Sequence, residues 1–137
     1  MGFFDFMTED IAIDLGTANT LIIHNDKVVI DTPSIVARDR RTGKIIAVGR
    51  EANLMHGKTH ESIKTIRPLK DGVIADFDAS EKMISMLIKS IPALNNKFFT
   101  PALRMVICIP SGITEVEMRA VKDSAERVNG KEVYLIH

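Results

Sequence analysis

The chain has 137 residues, 45% hydrophobic and 26% charged, which is the composition of one ordinary globular domain. Its 18 Lys and Arg balance 18 Asp and Glu, so neither a basic field for nucleic acid nor an acidic solvating tail is present. A single cysteine, Cys108, excludes an internal disulfide and leaves reducing cytosol as the default compartment. No apolar run approaches the roughly 20 residues of a membrane-crossing helix. The N-terminus also lacks the basic region and long apolar stretch of a secretory signal. With no Trp and few aromatics, the core must rest on Ile, Val, Leu and Met.

Residues 1–10 hold an apolar cluster, Phe3, Phe4, Phe6 and Met7, outside any strand pattern. Ile11 to Leu15 reads as a strand carrying a carboxylate, Asp14, near its end. Gly16 to Asn19 is a small-residue turn, Leu21 to Ile23 a second strand, and Asn25-Asp26 a turn before a third strand from Lys27 to Ile30. The opening is therefore an antiparallel meander. Pro33 marks a break. Ser34 to Ala37 and Lys44 to Val48 are further strand candidates around a turn at Arg40 to Gly43, and Glu51 to Met55 suits a short helix. Thr59 to Ile74 carries turn chemistry at Arg67 to Gly72 and no clear period.

Asp78 reads as a helix N-cap with Glu81 in the reciprocal position, and Met83, Ile84, Leu87, Ile88 and Ile91 recur at helical spacing up to Pro92. Asn95 to Pro101 is a loop. Arg104 to Ile109 is an apolar strand of the kind buried on both faces, with Cys108 a buried, inert thiol. Thr114 and Glu117 form a second capping box. Its helix carries an apolar stripe of Val116, Val121, Ala125 and Val128 and stops at Asn129-Gly130, before a last strand from Glu132 to Ile136. Strand, helix and strand make a right-handed parallel crossover. The fold class is α/β, a mixed sheet in which a meander is followed by a parallel β-α-β unit. A sheet ending on a bare apolar strand leads to the expectation that the native domain continues.

The run Asp14 to Thr20 carries the most chemistry. Gly16 lets the backbone approach a bulky anion, and consecutive amides in a tight turn form an anion-binding concavity. Thr17, Asn19 and Thr20 add side-chain donors. Asp14 would repel phosphate directly but suits a hydrated Mg²⁺. The run has no Gly-Lys-Ser/Thr and no Gly-x-Gly, so it is neither a Walker loop nor a dinucleotide fingerprint. The same residues also suit a plain hairpin turn, and composition leaves both readings open.

Asp14 to Thr20 resembles the first phosphate motif of the ATPase superfamily of actin, sugar kinases and heat-shock chaperones. The wording from Ile13 to Thr20, Ile-Asp-Leu-Gly-Thr-Ala-Asn-Thr, is similar to the MreB family of bacterial actins. Ile66 to Phe77, Val106 to Thr114, Val116-Glu117 and Arg119-Ala120 agree, and the resemblance runs along essentially the whole chain. It implies an actin-like, ribonuclease H-like ATPase fold, incomplete here. Residues 11–32 and 78–137 would form the first part of a large subdomain, and 33–77 a small inserted α+β subdomain that contacts the next subunit of a filament.

The resemblance also implies a function. It is polymerisation with ATP and Mg²⁺ into filaments on the inner face of the cytoplasmic membrane, which set rod shape by organising the cell-wall elongation machinery. Thr17, Ala18 and Asn19 match the phosphate-contacting turn, Gly16 shapes it, Thr20 follows it, and Asp14 matches the carboxylate that holds Mg²⁺ through water. The water-positioning acid, the second phosphate turn and the adenosine motif belong beyond His137 in the family, so weak ATP binding or none, and no hydrolysis, are expected. Glu115 and Glu117 suit helix-start roles better than catalytic ones. His24, His56, His60 and His137 show no metal-ligand spacing.

Phe98 and Phe99, beside Lys97, match a family loop that inserts into membrane, with packing of one ring under the adjacent helix as the alternative. Phe3, Phe4 and Phe6 match the end where some members carry an amphipathic membrane helix. Here Asp5, Glu9 and Asp10 replace the usual basic face. The rival readings are another ATPase on the same fold, a chaperone or a sugar kinase, and a non-enzymatic module that binds membrane or occupies a filament interface.

Overall fold

The computed structural model describes residues 8–56, 61–94, 102–128 and 130–136. Three strands open the chain: β1 (Thr8–Leu15), β2 (Asn19–His24) and β3 (Lys27–Pro33). The turn between β2 and β3 places Asn25 and Asp26 at φ 52° and 61°, the left-handed pair that a two-residue hairpin demands. Next come β4 (Val36–Asp39), β5 (Ile45–Val48), the short helix α1 (Arg50–Met55), β6 (Ile63–Ile66), and the two-residue strands β7 (Leu69–Lys70) and β8 (Val73–Ile74). The chain closes with α2 (Phe77–Lys89), one turn of 3-10 helix (Pro92–Leu94), β9 (Ala102–Cys108), α3 (Glu115–Arg127) and β10 (Gly130–Ile136).

Five strands form one sheet in the order β10-β9-β1-β2-β3. β1 runs parallel to β9, and β9 parallel to β10, whereas β1-β2 and β2-β3 are antiparallel. A second sheet has the order β5-β4-β6, and β7 pairs with β8 alone. The mixed sheet, meander and parallel crossover expected from the pattern are all present. The stretch from Thr59 to Ile74, without a legible period, supplies β6, β7 and β8.

Alternation along the strands fixes which face is covered. Ile11, Ile13 and Leu15 of β1, Ile22 of β2, and Leu103, Met105 and Ile107 of β9 point to one side and are buried. On them sit Ala79, Met83, Ile84, Leu87 and Ile88 of α2, with Val121 and Ala125 of α3. Val36 of the second sheet and Leu69 of β7 join this same core, while Ile35, Ala37, Ala47 and Ala52 make a smaller cluster under α1.

Three expectations need correction here. β9 alternates instead of burying both faces: Arg104 and Val106 are exposed and Cys108 only half-buried, because α2 and α3 pack on the same side. The cap of α2 is Asp76, not Asp78. Asp76 has extended backbone and its carboxylate accepts from the Ala79 N–H at 3.0 Å, while Asp78 already lies in the first turn and Glu81 pairs with Arg127 at 3.2 Å. Val116 does not share the apolar stripe of α3 and is 79% exposed. Met118, Val121, Ala125 and Val128 form the stripe, at steps of three and four that Val116 does not match. The box of Thr114 and Glu117 is present in both directions, with Glu117 N–H donating to Thr114 Oγ1 at 3.1 Å and Thr114 N–H to Glu117 Oε1 at 3.2 Å.

Candidate functional site

Three parallel strands, β1, β9 and β10, end on the same edge of the sheet. Open α/β sheets bind ligands in the crevice outside such carboxyl ends. The turn after β1, residues 16–18, lies there, and so does the loop after β9, Ile109 to Ile113. The hairpin of β7 and β8 joins them. Gly72 N–H donates to Thr17 Oγ1 at 3.0 Å, and a Cβ at Gly112 would sit 3.7 Å from Val73 Cγ1. Residues 17, 72 and 112, far apart in the chain, thus meet at one edge.

The turn itself is tight. Gly16 N–H donates to the Asn19 carbonyl at 3.0 Å, and a Cβ at Gly16 would fall 2.5 Å from that same oxygen. Only glycine fits, for reasons of space. Thr17, Ala18 and Asn19 are exposed. Among the described residues no backbone acceptor takes the Thr17 or Ala18 N–H. Two free, adjacent amides on an exposed turn are the donors that an anion needs.

The side chains divide. Asp14 is exposed on β1 beside the turn, and no described group pairs with it. One free carboxylate with open space suits Mg²⁺, which keeps several waters and takes one or two carboxylates plus phosphate oxygens. The expectation that Asn19 adds a free side-chain donor needs correction: its Nδ2 donates to Asp31 Oδ1 at 3.0 Å. The Asp31 carbonyl in turn accepts from Arg50 Nη2 at 2.9 Å. Thr20, also expected as a ligand donor, is fully buried with its hydroxyl 2.8 Å from Ser34 Oγ, and stands behind the turn instead of on its rim. Ser34 escaped notice in the sequence because its bond to the Gly16 carbonyl, at 2.7 Å, spans 18 residues.

Phe3, Phe4, Phe6, Phe98 and Phe99 lie outside the described residues, as do His60 and His137. His24 is buried with Nε2 3.1 Å from Glu9 Oε2, and His56 Nδ1 sits 2.6 Å from Thr65 Oγ1. The chain's one Gly-Lys-Thr triplet, residues 57–59, has Ala52 where a Walker loop needs its first glycine. A cavity of about 420 Å³ lies elsewhere, along β3 and α2, lined by Val29, Thr32, Arg50, Met86 and Ser90 among others. It has a mixed lining that includes none of the turn residues 16–19, so the anion-binding geometry and this cavity do not coincide.

Comparison with known proteins gives a consistent result. The model of the MreB/Mbl protein family matches residues 8–137. The cell shape-determining protein MreB of Pasteurella multocida is 51% identical over 134 residues, which cover 94% of this chain and 38% of that protein. The cell shape-determining protein Mbl of Bacillus subtilis is 50% identical over 127 residues, covering 92% of this chain and 37% of that one. Among solved structures, MreB5 of Spiroplasma citri bound to AMPPNP superposes with a TM-score of 0.76 at 34% identity, over 95% of this chain and 38% of that chain. The chain thus spans a little over a third of the length of these relatives. With its actin-like mixed sheet and a family match that runs from β1 to its last residue, the chain belongs to the MreB/Mbl protein family.

Proposed function

We propose that this chain is the front part of an ATP-binding, filament-forming protein that sets rod cell shape by organising cell-wall synthesis at the inner face of the cytoplasmic membrane. The observation that carries the nucleotide assignment is the exposed turn 16–19, with two unpaired amides at the carboxyl edge of three parallel strands. The AMPPNP bound to the Spiroplasma citri relative supports the same ligand class. The naming of the Pasteurella multocida and Bacillus subtilis relatives as cell shape-determining proteins supports the role in cell shape.

In this reading the Thr17 and Ala18 amides hold phosphate oxygens, Gly16 permits the approach, and Asn19 braces the turn through Asp31. Asp14 holds Mg²⁺ through water. Mg²⁺ held there would supply neutralisation of the phosphate charge. These residues bind and orient, and no bond-breaking step is assigned to them. Residues 11–32 and 78–137 serve as the large subdomain and 33–77 as the small inserted one, a division supported by the separate sheets. Among the described residues no helix is long and apolar enough to cross a membrane. Membrane contact is assigned to Phe98 and Phe99, with Phe3, Phe4 and Phe6 as a second apolar contact.

Calorimetric titration of Mg·ATP tests the site. Two charge-assisted amide bonds and one water-mediated ion support a dissociation constant of about 1 mM, or about −4 kcal/mol. Asp14→Ala abolishes it. A folded chain that gives no heat at ~10 mM, or binding indifferent to Asp14→Ala, refutes the assignment.

A further inference from the structure

Behind the turn lies a buried polar chain, of Thr20 and Ser34, that direct contact with a ligand does not account for. Thr20 and Ser34 are both 0% exposed, in a core otherwise almost wholly apolar. Ser34 Oγ lies 2.7 Å from the Gly16 carbonyl and 2.8 Å from Thr20 Oγ1. The direction of the chain follows from counting hydrogens. A serine hydroxyl has one, and a carbonyl can only accept. Ser34 must give its hydrogen to Gly16, so Thr20 must donate to Ser34. The Ser34 N–H adds a second tie, to the Ala18 carbonyl at 2.8 Å. One residue therefore grips two carbonyls of the turn, from the point where the chain leaves β3 for β4.

The peptide between Gly16 and Thr17 is planar and trans, so the Gly16 C=O and the Thr17 N–H point in opposite directions. Holding the carbonyl inward on Ser34 turns the Thr17 amide outward, on the exposed side of the turn. Without the Ser34 hydroxyl the half-buried carbonyl loses its partner, which is unfavourable. A flip of that peptide plane relieves it. The flip presents an oxygen to the anion where a donor stood.

We infer that Thr20 and Ser34 are positioning residues, a one-way hydroxyl relay that locks the Gly16–Thr17 peptide with its N–H facing the phosphate. The inference rests on the nucleotide reading above and assigns that site two residues that never touch the ligand. It also explains why Thr20 and Ser34 are polar at positions that packing alone would fill with Val and Ala.

The test uses the whole ¹⁵N,¹³C-labelled chain, with Mg·ATP as probe. Ser34→Ala is expected to move the Gly16 carbonyl resonance and weaken Mg·ATP about tenfold, which is about 1.4 kcal/mol. Thr20→Val keeps the volume, removes the donor and weakens binding in the same direction by less. Thr20→Ser, which returns the hydroxyl, restores affinity relative to Thr20→Val. Val36→Ala, which opens the neighbouring core away from the turn, lowers stability but not affinity. If Ser34→Ala does not fold, the isosteric Thr20→Val and its serine rescue carry the test. A wild-type chain that responds to Mg·ATP while Ser34→Ala changes neither carbonyl nor affinity overturns the relay and leaves the nucleotide reading standing. A wild-type chain silent to Mg·ATP, with the Gly16 carbonyl still moved by Ser34→Ala, overturns the nucleotide reading and leaves the peptide lock standing.

Discussion

Gly49 is a position where a single methyl group should do damage twice, through backbone strain and through a clash. It stands between β5 and α1 with φ 63° and ψ −131°, a conformation open to glycine and strained for other residues by about 1–3 kcal/mol. A Cβ there would also overlap Thr32 Oγ1 and lie 2.9 Å from Thr32 Cγ2. Thr32 must then rotate, and its Oγ1 loses the Arg50 N–H that it accepts at 2.8 Å, worth about 1 kcal/mol. Gly49→Ala should therefore cost about 3 kcal/mol. With a urea slope of roughly 1.5 kcal/mol per molar, the unfolding midpoint falls by about 2 M. Gly43→Ala is the control, because Gly43 also has positive φ, 75°, but nothing lies within 4 Å of its Cβ. It should cost only the backbone term, about 1 kcal/mol. Equal midpoints for the two variants would show that the Thr32 contact contributes nothing and would refute the reasoning.

The caps and stripes allow sharper comparisons. Asp76→Ala should cost about 1 kcal/mol and Asp78→Ala about half that or less, read from thermal unfolding, since only Asp76 bonds a helix-start amide. Val121→Ala should lose about 1–2.5 kcal/mol from a buried position, whereas Val116→Ala stays within about 0.5 kcal/mol, because its side chain is exposed. Met83→Ala, at 0% exposure in the centre of α2, should cost about 3 kcal/mol by denaturant titration.

Much of this was legible in the sequence because the signals were local. The strand Ile11 to Leu15, the left-handed Asn25-Asp26 pair and the Thr114-Glu117 box each act within a few residues. The same holds for Gly16, whose need for glycine arises from a carbonyl three residues away. What was missed depended on distance along the chain or on a choice between equivalents. Asp76 and Asp78 carry the same side chain two residues apart. The Pro68 carbonyl, which accepts from the Ala75 and Asp76 N–H groups, helps fix where the helix begins. Val116 follows the hydrophobic composition of α3 but not its angular spacing. Strands β6, β7 and β8 are two to four residues long, too short to show a period. The roles of Asn19 and Thr20 turned on Asp31 and Ser34, which lie 12 and 14 residues away and come close only when β2 pairs with β3. Residue type left the turn open between a hairpin and an anion site, the family resemblance made it the candidate phosphate site, and tertiary contacts decided which of its side chains remain unbonded.

The most direct test of the phosphate assignment is a ¹H-¹⁵N NMR titration of the chain with Mg·ATP, which reports where the ligand sits as well as whether it binds. The largest saturating shifts should fall on the Thr17 and Ala18 amides, with smaller ones at Gly72 and Gly112 across the edge, and Asp14→Ala should remove them all. Shifts centred instead on the cavity lined by Thr32, Arg50 and Met86, or no shifts from a folded chain, would contradict the assignment of the turn after β1 as the nucleotide site.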